Sequence, residues 1–221
     1  MEFELFHRYG PALLRGFGVT ILCWVAGSIG GIVLGFAIAC LYRWSWRPVR
    51  WLLQAYVELI RGTPFMIQLF ILYYGGPYVG LVLSPVQAGI LSFVIYGSPY
   101  FSEIFRSGFG SIPEGQIEAA RCVGLGEAAI LRRIVLPQML VLITAPLTNF
   151  IIILSKETAI LSVVTVPELL YETQTMAAET FTYVEPFLVL SLCYWLLVVL
   201  TSWLGQKVEH RVTRHLRRAN A

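Results

Sequence analysis

The chain has 221 residues, of which 57% are hydrophobic and only 13% are charged, and its formal net charge is +3. Soluble domains carry about 25% charged residues, so this composition excludes an ordinary soluble domain and predicts a membrane protein. The length allows one domain or two. The four cysteines show neither metal-ligand spacing nor a pairing pattern, and we interpret them as small buried hydrophobic residues.

Four stretches of the chain lack Asp, Glu, Lys and Arg. Because a spanning helix needs about 20 apolar residues, three of these stretches hold one helix each. The second stretch is long enough for two helices, which Gly75-Gly76-Pro77 and Ser84-Pro85 separate. The first is too long for a signal-peptide core of roughly 7–15 residues, and we interpret it as a retained helix. The sequence therefore predicts five transmembrane helices within residues 15–206. The four stretches are 16–42, 62–102, 134–155 and 186–206.

The distribution of positive charge predicts the orientation. Twelve of the sixteen Lys and Arg residues fall on one side of the membrane if the N-terminus is outside. The positive-inside rule then places residues 1–14 outside as a short lead-in, and it places the loop 110–137 and the basic tail 207–221 in the cytoplasm. We interpret the tail as facing lipid headgroups rather than nucleic acid. The twelve residues are Arg43, Arg47, Arg50, Arg106, Arg121, Arg132, Arg133, Lys207, Arg211, Arg214, Arg217 and Arg218.

Small residues recur every four positions in the first span. Gly27, Gly31 and Gly35 share one helix face. In membranes such a face lets another helix approach closely, so we expect it to pack against a second helix.

The second span is predicted to be broken. Glu58 and Arg61 lie three residues apart, on one helix face, where they could pair. Gly62 loosens the backbone, Thr63 offers a side-chain N-cap and Pro64 suits the first helical position. We predict a helix to about residue 61 and a new helix from 64, bordering a cavity, because freed backbone groups need partners. The alternative is an interfacial amphipathic helix followed by an ordinary span.

Further polar residues lie in the third and fourth spans. Glu103 and Arg106 form a second same-face pair close to Tyr100, and Pro99 should loosen the helix beside them. A carboxylate inside a membrane is costly, which makes Glu103 a functional candidate, although a helix-end position at the interface is the alternative. Asn149 is predicted to be a buried amide that needs a hydrogen-bond partner.

Lys156, Glu157 and Thr158 end the fourth span. They either mark the water interface or line a polar pocket, and the sequence leaves both open. Residues 159–185 contain no Lys or Arg and are predicted to lie on the outer face, either as an acidic rim that meets a partner or as a solvated loop. The glutamates of that region are Glu168, Glu172, Glu179 and Glu185.

The central loop contains a short charged helix, predicted at roughly 114–122, whose acidic first turn suits the helix dipole. Gly124 and Gly126 allow the chain to turn after it. The small side chains of Ala119 and Ala120, next to Glu118, leave room for the surface of another protein.

This loop resembles the cytoplasmic loop of ATP-binding-cassette importer permeases. Their pattern is E-A-A, three residues, G, nine residues, I, one residue and L-P, and every fixed position is present here. Further segments resemble the polar amino-acid branch of histidine, glutamine and arginine type, and the resemblance covers about residues 15–206. The loop positions are Glu118, Ala119, Ala120, Gly124, Ile134, Leu136 and Pro137, and the further segments are 56–64, Gln68, 73–75, 113–116, 136–138, Asn149 and 156–158.

The resemblance implies an all-α, type I importer permease fold in the bacterial cytoplasmic (inner) membrane. It implies that the loop helix docks on a cytoplasmic ATPase dimer that binds ATP and Mg. It also implies a second permease subunit, identical or homologous, and an extracytoplasmic solute-binding protein. No cofactor or metal is expected on this chain.

The resemblance further implies that substrate is handled near the middle of the membrane, where broken helices and isolated polar groups are found. One departure weakens the expectation that this chain itself holds substrate, because the family usually has Thr-Ser-Leu where this chain has Thr158-Ala159-Ile160. The candidate pathway residues are Glu58, Arg61, Thr63, Tyr100, Glu103, Asn149, Lys156, Glu157 and Thr158.

The predicted function is ATP-driven import of a polar amino acid by alternating access. The chain has no Walker-type phosphate loop, so another chain must hydrolyse ATP and this chain is not predicted to be an enzyme. The alternative within the same scaffold is another small zwitterion, such as an opine or compatible solute. An intramembrane enzyme is disfavoured because His7, His210 and His215 are all terminal. A channel is also disfavoured, because it would need rings of like residues.

Overall fold

The structure, a computed structural model, describes the backbone of residues 2–219 and the side chains of residues 7–213. The predicted basic tail 207–221 therefore lies partly outside the described residues. All regular structure in the described part is helical, and the predicted all-α class is confirmed. The α-helices are α1 (Glu2–Trp44), α2 (Arg47–Arg61), α3 (Phe65–Gly75), α4 (Pro85–Gly110), α5 (Glu114–Cys122), α6 (Glu127–Ile130), α7 (Leu136–Glu157), α8 (Leu169–Thr180) and α9 (Val184–Ala219).

Three helical segments of the described part are long and apolar enough to cross a membrane: His7–Trp44, Glu127–Val164 and Val184–Thr213. A fourth is the pair α2 and α3, if these helices count as one span despite the 102° bend between them. Helix α4 is not among these segments. Length and composition therefore give three or four spans, and the predicted count of five is not confirmed.

Helix α4 is the centre of the bundle, and α1 packs along it through the glycine face that the sequence predicts. A Cβ atom at Gly35 would lie 2.7 Å from the Ser98 carbonyl oxygen and 2.6 Å from the Phe101 Cβ. A Cβ atom at Gly27 would overlap the Phe93 Cβ. The absence of side chains at these positions is therefore what allows α1 and α4 to approach.

Pro99 does not end α4, which continues to Gly110. Because proline has no N–H, the Ile95 carbonyl loses its partner within the helix. The Tyr56 hydroxyl of α2 and the Ser98 hydroxyl each donate to that carbonyl, both at 3.1 Å. The backbone defect thus becomes the attachment point of α2 on α4.

Glu168 is fully buried, so both predicted positions, an outer acidic rim and a solvated loop, are wrong for this residue. Its carboxylate caps α8 by accepting from the backbone N–H groups of Leu170 and Tyr171, at 2.9 and 2.8 Å. Helix α8 packs against α1 at Gly16, where a Cβ atom would lie 3.1 Å from the Glu168 carbonyl oxygen. This contact removes the start of α8 from solvent, whereas Glu179 and Glu185 are exposed.

We expect Gly35→Ala to destabilise the chain by about 1–3 kcal/mol, because the backbone of α4 cannot yield to the added methyl group. Gly18→Ala is the matched control, since Gly18 lies on the same helix with no atom of the described residues within 4 Å of its Cβ position. That control should be neutral or stabilising by up to about 1 kcal/mol. Thermal unfolding of the purified chain in detergent measures both, and equal effects would contradict the packing role of the glycine face.

Glu168 lies between the last two candidate spans, and burial raises its pKa to about 7. Because an unfolded glutamate has a pKa of about 4.3, the stability linked to its protonation is fully present below that pH. That stability is lost as the pH rises towards the folded pKa of about 7.

We therefore expect the melting temperature of the wild type to fall, relative to that of Glu168→Gln, between about pH 4 and pH 7. Glu185→Gln, at an exposed glutamate, should show a constant difference from the wild type over this range. A constant difference for Glu168→Gln would show that Glu168 does not titrate there.

Candidate functional site

A cavity of about 190 Å³ lies between α1, α2 and α4. Three of the predicted pathway residues line it: Glu58 and Arg61 from α2, and Glu103 from α4. Ile38 and Val57 contribute part of its apolar wall. The cavity therefore brings groups of both charge signs beside an apolar surface.

The two predicted charge pairs have different outcomes. The Glu103–Arg106 pair is confirmed, with Arg106 donating to both carboxylate oxygens at 2.5 and 3.1 Å. Glu58 and Arg61 do not pair with each other. Glu58 accepts from Gln54 at 2.9 Å, and the Arg61 guanidinium lies 5.4 Å from the centre of the Tyr100 ring. Among the described residues, neither Glu58 nor Arg61 belongs to an ion pair, so both charges face the cavity without an ionic partner.

The predicted break in the second span is confirmed, but the predicted cap is wrong. Helix α2 ends at Arg61, and α3 begins at Phe65 with Pro64 as its N-cap residue and no side-chain cap. The Thr63 hydroxyl instead donates back to the Leu59 carbonyl at 3.0 Å, because that carbonyl, one turn earlier, has lost its partner at the end of α2.

Gln68 stabilises the break, a role that the sequence analysis missed. Its side-chain amide nitrogen donates to the carbonyl oxygens of Ile60 and Thr63, at 2.7 and 3.0 Å. The sequence contained a signal for this role: a side-chain amide lies four residues after Pro64, and the carbonyls at the end of the preceding helix need hydrogen-bond donors.

The aromatic ring of Tyr100 connects the cavity to α7. It stacks on Phe150 with 4.8 Å between ring centroids and 20° between ring planes. Phe150 is buried, and its neighbour Asn149 therefore points about 100° away around the helix. Asn149 is exposed, so the prediction of a buried amide is wrong for the chain by itself.

At the end of α7, the side chains of Lys156, Glu157 and Thr158 differ in exposure. Lys156 is exposed, Glu157 is half-buried and Thr158 is fully buried. The Thr158 hydroxyl donates to the Ser155 carbonyl at 2.7 Å and lies 3.1 Å from the Tyr194 hydroxyl. None of these residues lines the cavity. Three of the candidate pathway residues therefore form a group at the cavity, and three others form a second group at the end of α7.

The predicted loop helix is confirmed at Glu114–Cys122. It ends in a Schellman motif, in which the N–H groups of Gly124 and Leu125 donate to the carbonyls of Arg121 and Ala120, at 2.9 and 3.1 Å. Gly124 has φ +82° with open space around it. This left-handed backbone conformation requires a glycine at position 124. The backbone at Gly126, with φ −71°, does not require one.

The surface of this loop differs in part from the prediction. Glu118 and Ala119 are exposed, but Ala120 is buried at 4% exposure and contacts its own chain. The sequence analysis missed Val123, which is 77% exposed at the tip of the loop. An open cleft of about 540 Å³ is lined by residues that include Ala119, Val123 and Ile134.

The fourth span is predicted to start after Pro137, but in the structure the helix continues from α6 through residues 131–135 into α7. Pro137 has no N–H for the Arg133 carbonyl, and the turn before it, Leu131–Val135, is a π-helix. Leu136 is half-buried and Pro137 is exposed at the start of α7, and neither lines the cleft.

Side-chain contacts connect α5 to the helices that follow it. Arg121 pairs with Glu127 of α6 at 2.7 Å. Gln138 of α7 donates to Gln116 of α5, also at 2.7 Å. These two contacts join the loop helix to the start of α7.

Comparison with known proteins identifies the family. The model described as "Binding-protein-dependent transport system inner membrane component" matches residues 31–214. The chain belongs to this family. It is 34% identical over 212 residues to "Probable glutamine ABC transporter permease protein GlnM" of Bacillus subtilis (strain 168), covering 96% of each chain. It is 32% identical over 206 residues to "Probable amino-acid ABC transporter permease protein YckA" of the same organism, covering 91% of each.

The fold is similar to that of a chain in the "Crystal structure of an amino acid ABC transporter with histidines", with a TM-score of 0.85 and 30% identity over 93% of this chain and 96% of that one. These matches confirm the resemblance to importer permeases and the type I permease fold. The binding-protein-dependent permease is thus a membrane transport subunit, and ATP hydrolysis belongs to a separate subunit.

We expect Gly124→Ala to loosen the end of α5, because a left-handed residue with a Cβ costs roughly 1–2 kcal/mol. Gly115→Ala is the matched control, since Gly115 lies in the same helix, also with open space and without a positive φ. Hydrogen exchange of the peptide covering 118–126 should accelerate only in Gly124→Ala. If both variants exchange like the wild type, the turn does not depend on glycine.

Proposed function

We propose that this permease takes up a polar amino acid that a solute-binding protein delivers from outside the cell. The observation that carries the proposal is the cavity in which Glu58 and Arg61 lie without ionic partners among residues 7–213. An amino acid has both an ammonium and a carboxylate group. Glu58 would accept from the ammonium group, and Arg61 would bind the carboxylate by charge-assisted hydrogen bonds. The amino-acid and glutamine permeases named among the relatives support this substrate class.

The proposed orientation places the N-terminus outside and the C-terminus in the cytoplasm of a bacterium, on the basis of the positive-inside rule. Helix α5 then faces a cytoplasmic ATPase dimer that binds ATP and Mg. Its proposed docking surface consists of Glu118, Ala119, Val123 and Ile134, around the open cleft. Gly124 would hold the turn beside this surface.

The proposed mechanism is alternating access driven by α5. Its contact with Gln138 would move α7, and α7 carries Phe150, which stacks on Tyr100 beneath the Arg61 guanidinium. Contacts therefore run without a gap from the ATPase side to the cavity. ATP binding can shift the two orientations only if their free energies differ by a few kcal/mol.

A second permease subunit would complete the path. Asn149 and Lys156 are exposed on α7, and polar groups of this kind are costly against lipid. We propose that they face the second subunit, together with the half-buried Glu157. Thr63 and Thr158 would then shape the path through their backbone contacts.

Uptake into proteoliposomes tests the substrate. The chain is reconstituted with its co-expressed ATPase and binding protein, and radiolabelled L-glutamine, L-arginine and L-histidine are compared with octopine and glycine betaine. We expect ATP-dependent uptake of at least one of the amino acids. Uptake of octopine or betaine alone would assign the scaffold to another zwitterion, and uptake of none with an active ATPase would overturn the proposal.

Co-purification tests the docking surface. We expect Ala119→Arg to abolish recovery of the ATPase with the tagged permease, because it introduces a large charged side chain into the cleft. Cys122→Arg is the matched control, since Cys122 is exposed on the same helix but does not line the cleft. Retention of the ATPase by Ala119→Arg would place the docking surface elsewhere.

A further inference from the structure

Glu168 connects three separate parts of the bundle. Its carboxylate caps α8 through the N–H groups of Leu170 and Tyr171. It also accepts from the Tyr194 hydroxyl of α9 at 3.3 Å. The Thr20 hydroxyl of α1 lies 3.4 Å from the carboxylate and shares its single proton with the nearer Gly16 carbonyl, at 3.1 Å. No ion pair within the described residues includes Glu168, so hydroxyl and backbone donors alone balance its charge.

The network continues to the end of α7. The Tyr194 hydroxyl lies 3.1 Å from the Thr158 hydroxyl, and Thr158 directly follows Glu157. Tyrosine has a single hydroxyl proton, which can be donated to Glu168 or to Thr158. Because Thr158 already donates its proton to the Ser155 carbonyl, Tyr194 makes one of these two hydrogen bonds at a time. One tyrosine hydroxyl therefore separates the buried carboxylate from the second group of pathway residues.

Capping alone does not explain this arrangement. A serine, threonine or aspartate would cap α8 without crossing to other helices. Burying a carboxylate is costly unless its hydrogen bonds are made. Here the long glutamate side chain reaches both α1 and α9, and it fixes their distance from the start of α8.

We propose that Glu168 is a positioning residue of the transport path, which acts through Tyr194 to hold Thr158 and the last turn of α7 in place. This rests on the proposed function, since it assumes that the end of α7 contacts substrate. The residue itself is too deeply buried to touch substrate.

Tyr194→Phe is the decisive variant, because it removes the link to Thr158 and leaves the cap of α8 intact. Tyr183→Phe is the matched control at a tyrosine that is 61% exposed. In the purified chain, hydrogen exchange of the 3-10 turn Thr158–Val164 should accelerate about fivefold in Tyr194→Phe, and that of the start of α8 should not change. Unchanged exchange of the turn would overturn the proposal.

Transport supplies the second readout. In proteoliposomes, Tyr194→Phe and Glu168→Gln should raise the amino-acid concentration for half-maximal uptake about fivefold while changing the maximal rate less than about twofold. Wild-type half-saturation in both folded variants would also overturn the proposal. If exchange responds as expected but the wild type transports no amino acid, the positioning of α7 stands and the proposed substrate class fails.

Discussion

The contact between the glycine face of α1 and α4 is the constraint on which the candidate site depends. Lipid gives no hydrophobic driving force between helices, so close packing must supply much of the attraction. At Gly35 the backbone of α4 lies where a side chain would otherwise be. Because α4 carries the lining residues Ser102 and Glu103, this contact fixes one wall of the cavity relative to the opposite wall on α1.

The breaks in the backbone give the same bundle its specific geometry. A membrane offers no water to a carbonyl that has lost its helix partner, so a side chain must donate instead. Tyr56 does so for the carbonyl that Pro99 frees, and Gln68 does so at the end of α2. Each donor reaches across a break or between helices, and the repair of a defect is thus also the support of the cavity.

Local features of the fold were predictable from the sequence, and features that depend on helix rotation were not. The loop helix, the break near residue 62 and the Glu103–Arg106 pair follow from spacing over a few residues. The exposure of Asn149 depends instead on Phe150 turning towards Tyr100, and the burial of Glu168 depends on α8 packing against α1. Such contacts join residues far apart in the chain, and no local pattern encodes them.

The position of Phe150 explains how two separate groups of polar residues could act as one path. Phe150 stacks on Tyr100 of its own chain, while the adjacent Asn149 faces outward on the same turn of α7. Any rotation of α7 must move both faces together, because neighbouring residues on a helix keep a fixed angle of about 100°. Under the proposed mechanism, one displacement of α5 would therefore change the cavity and the contact with the second permease at the same time.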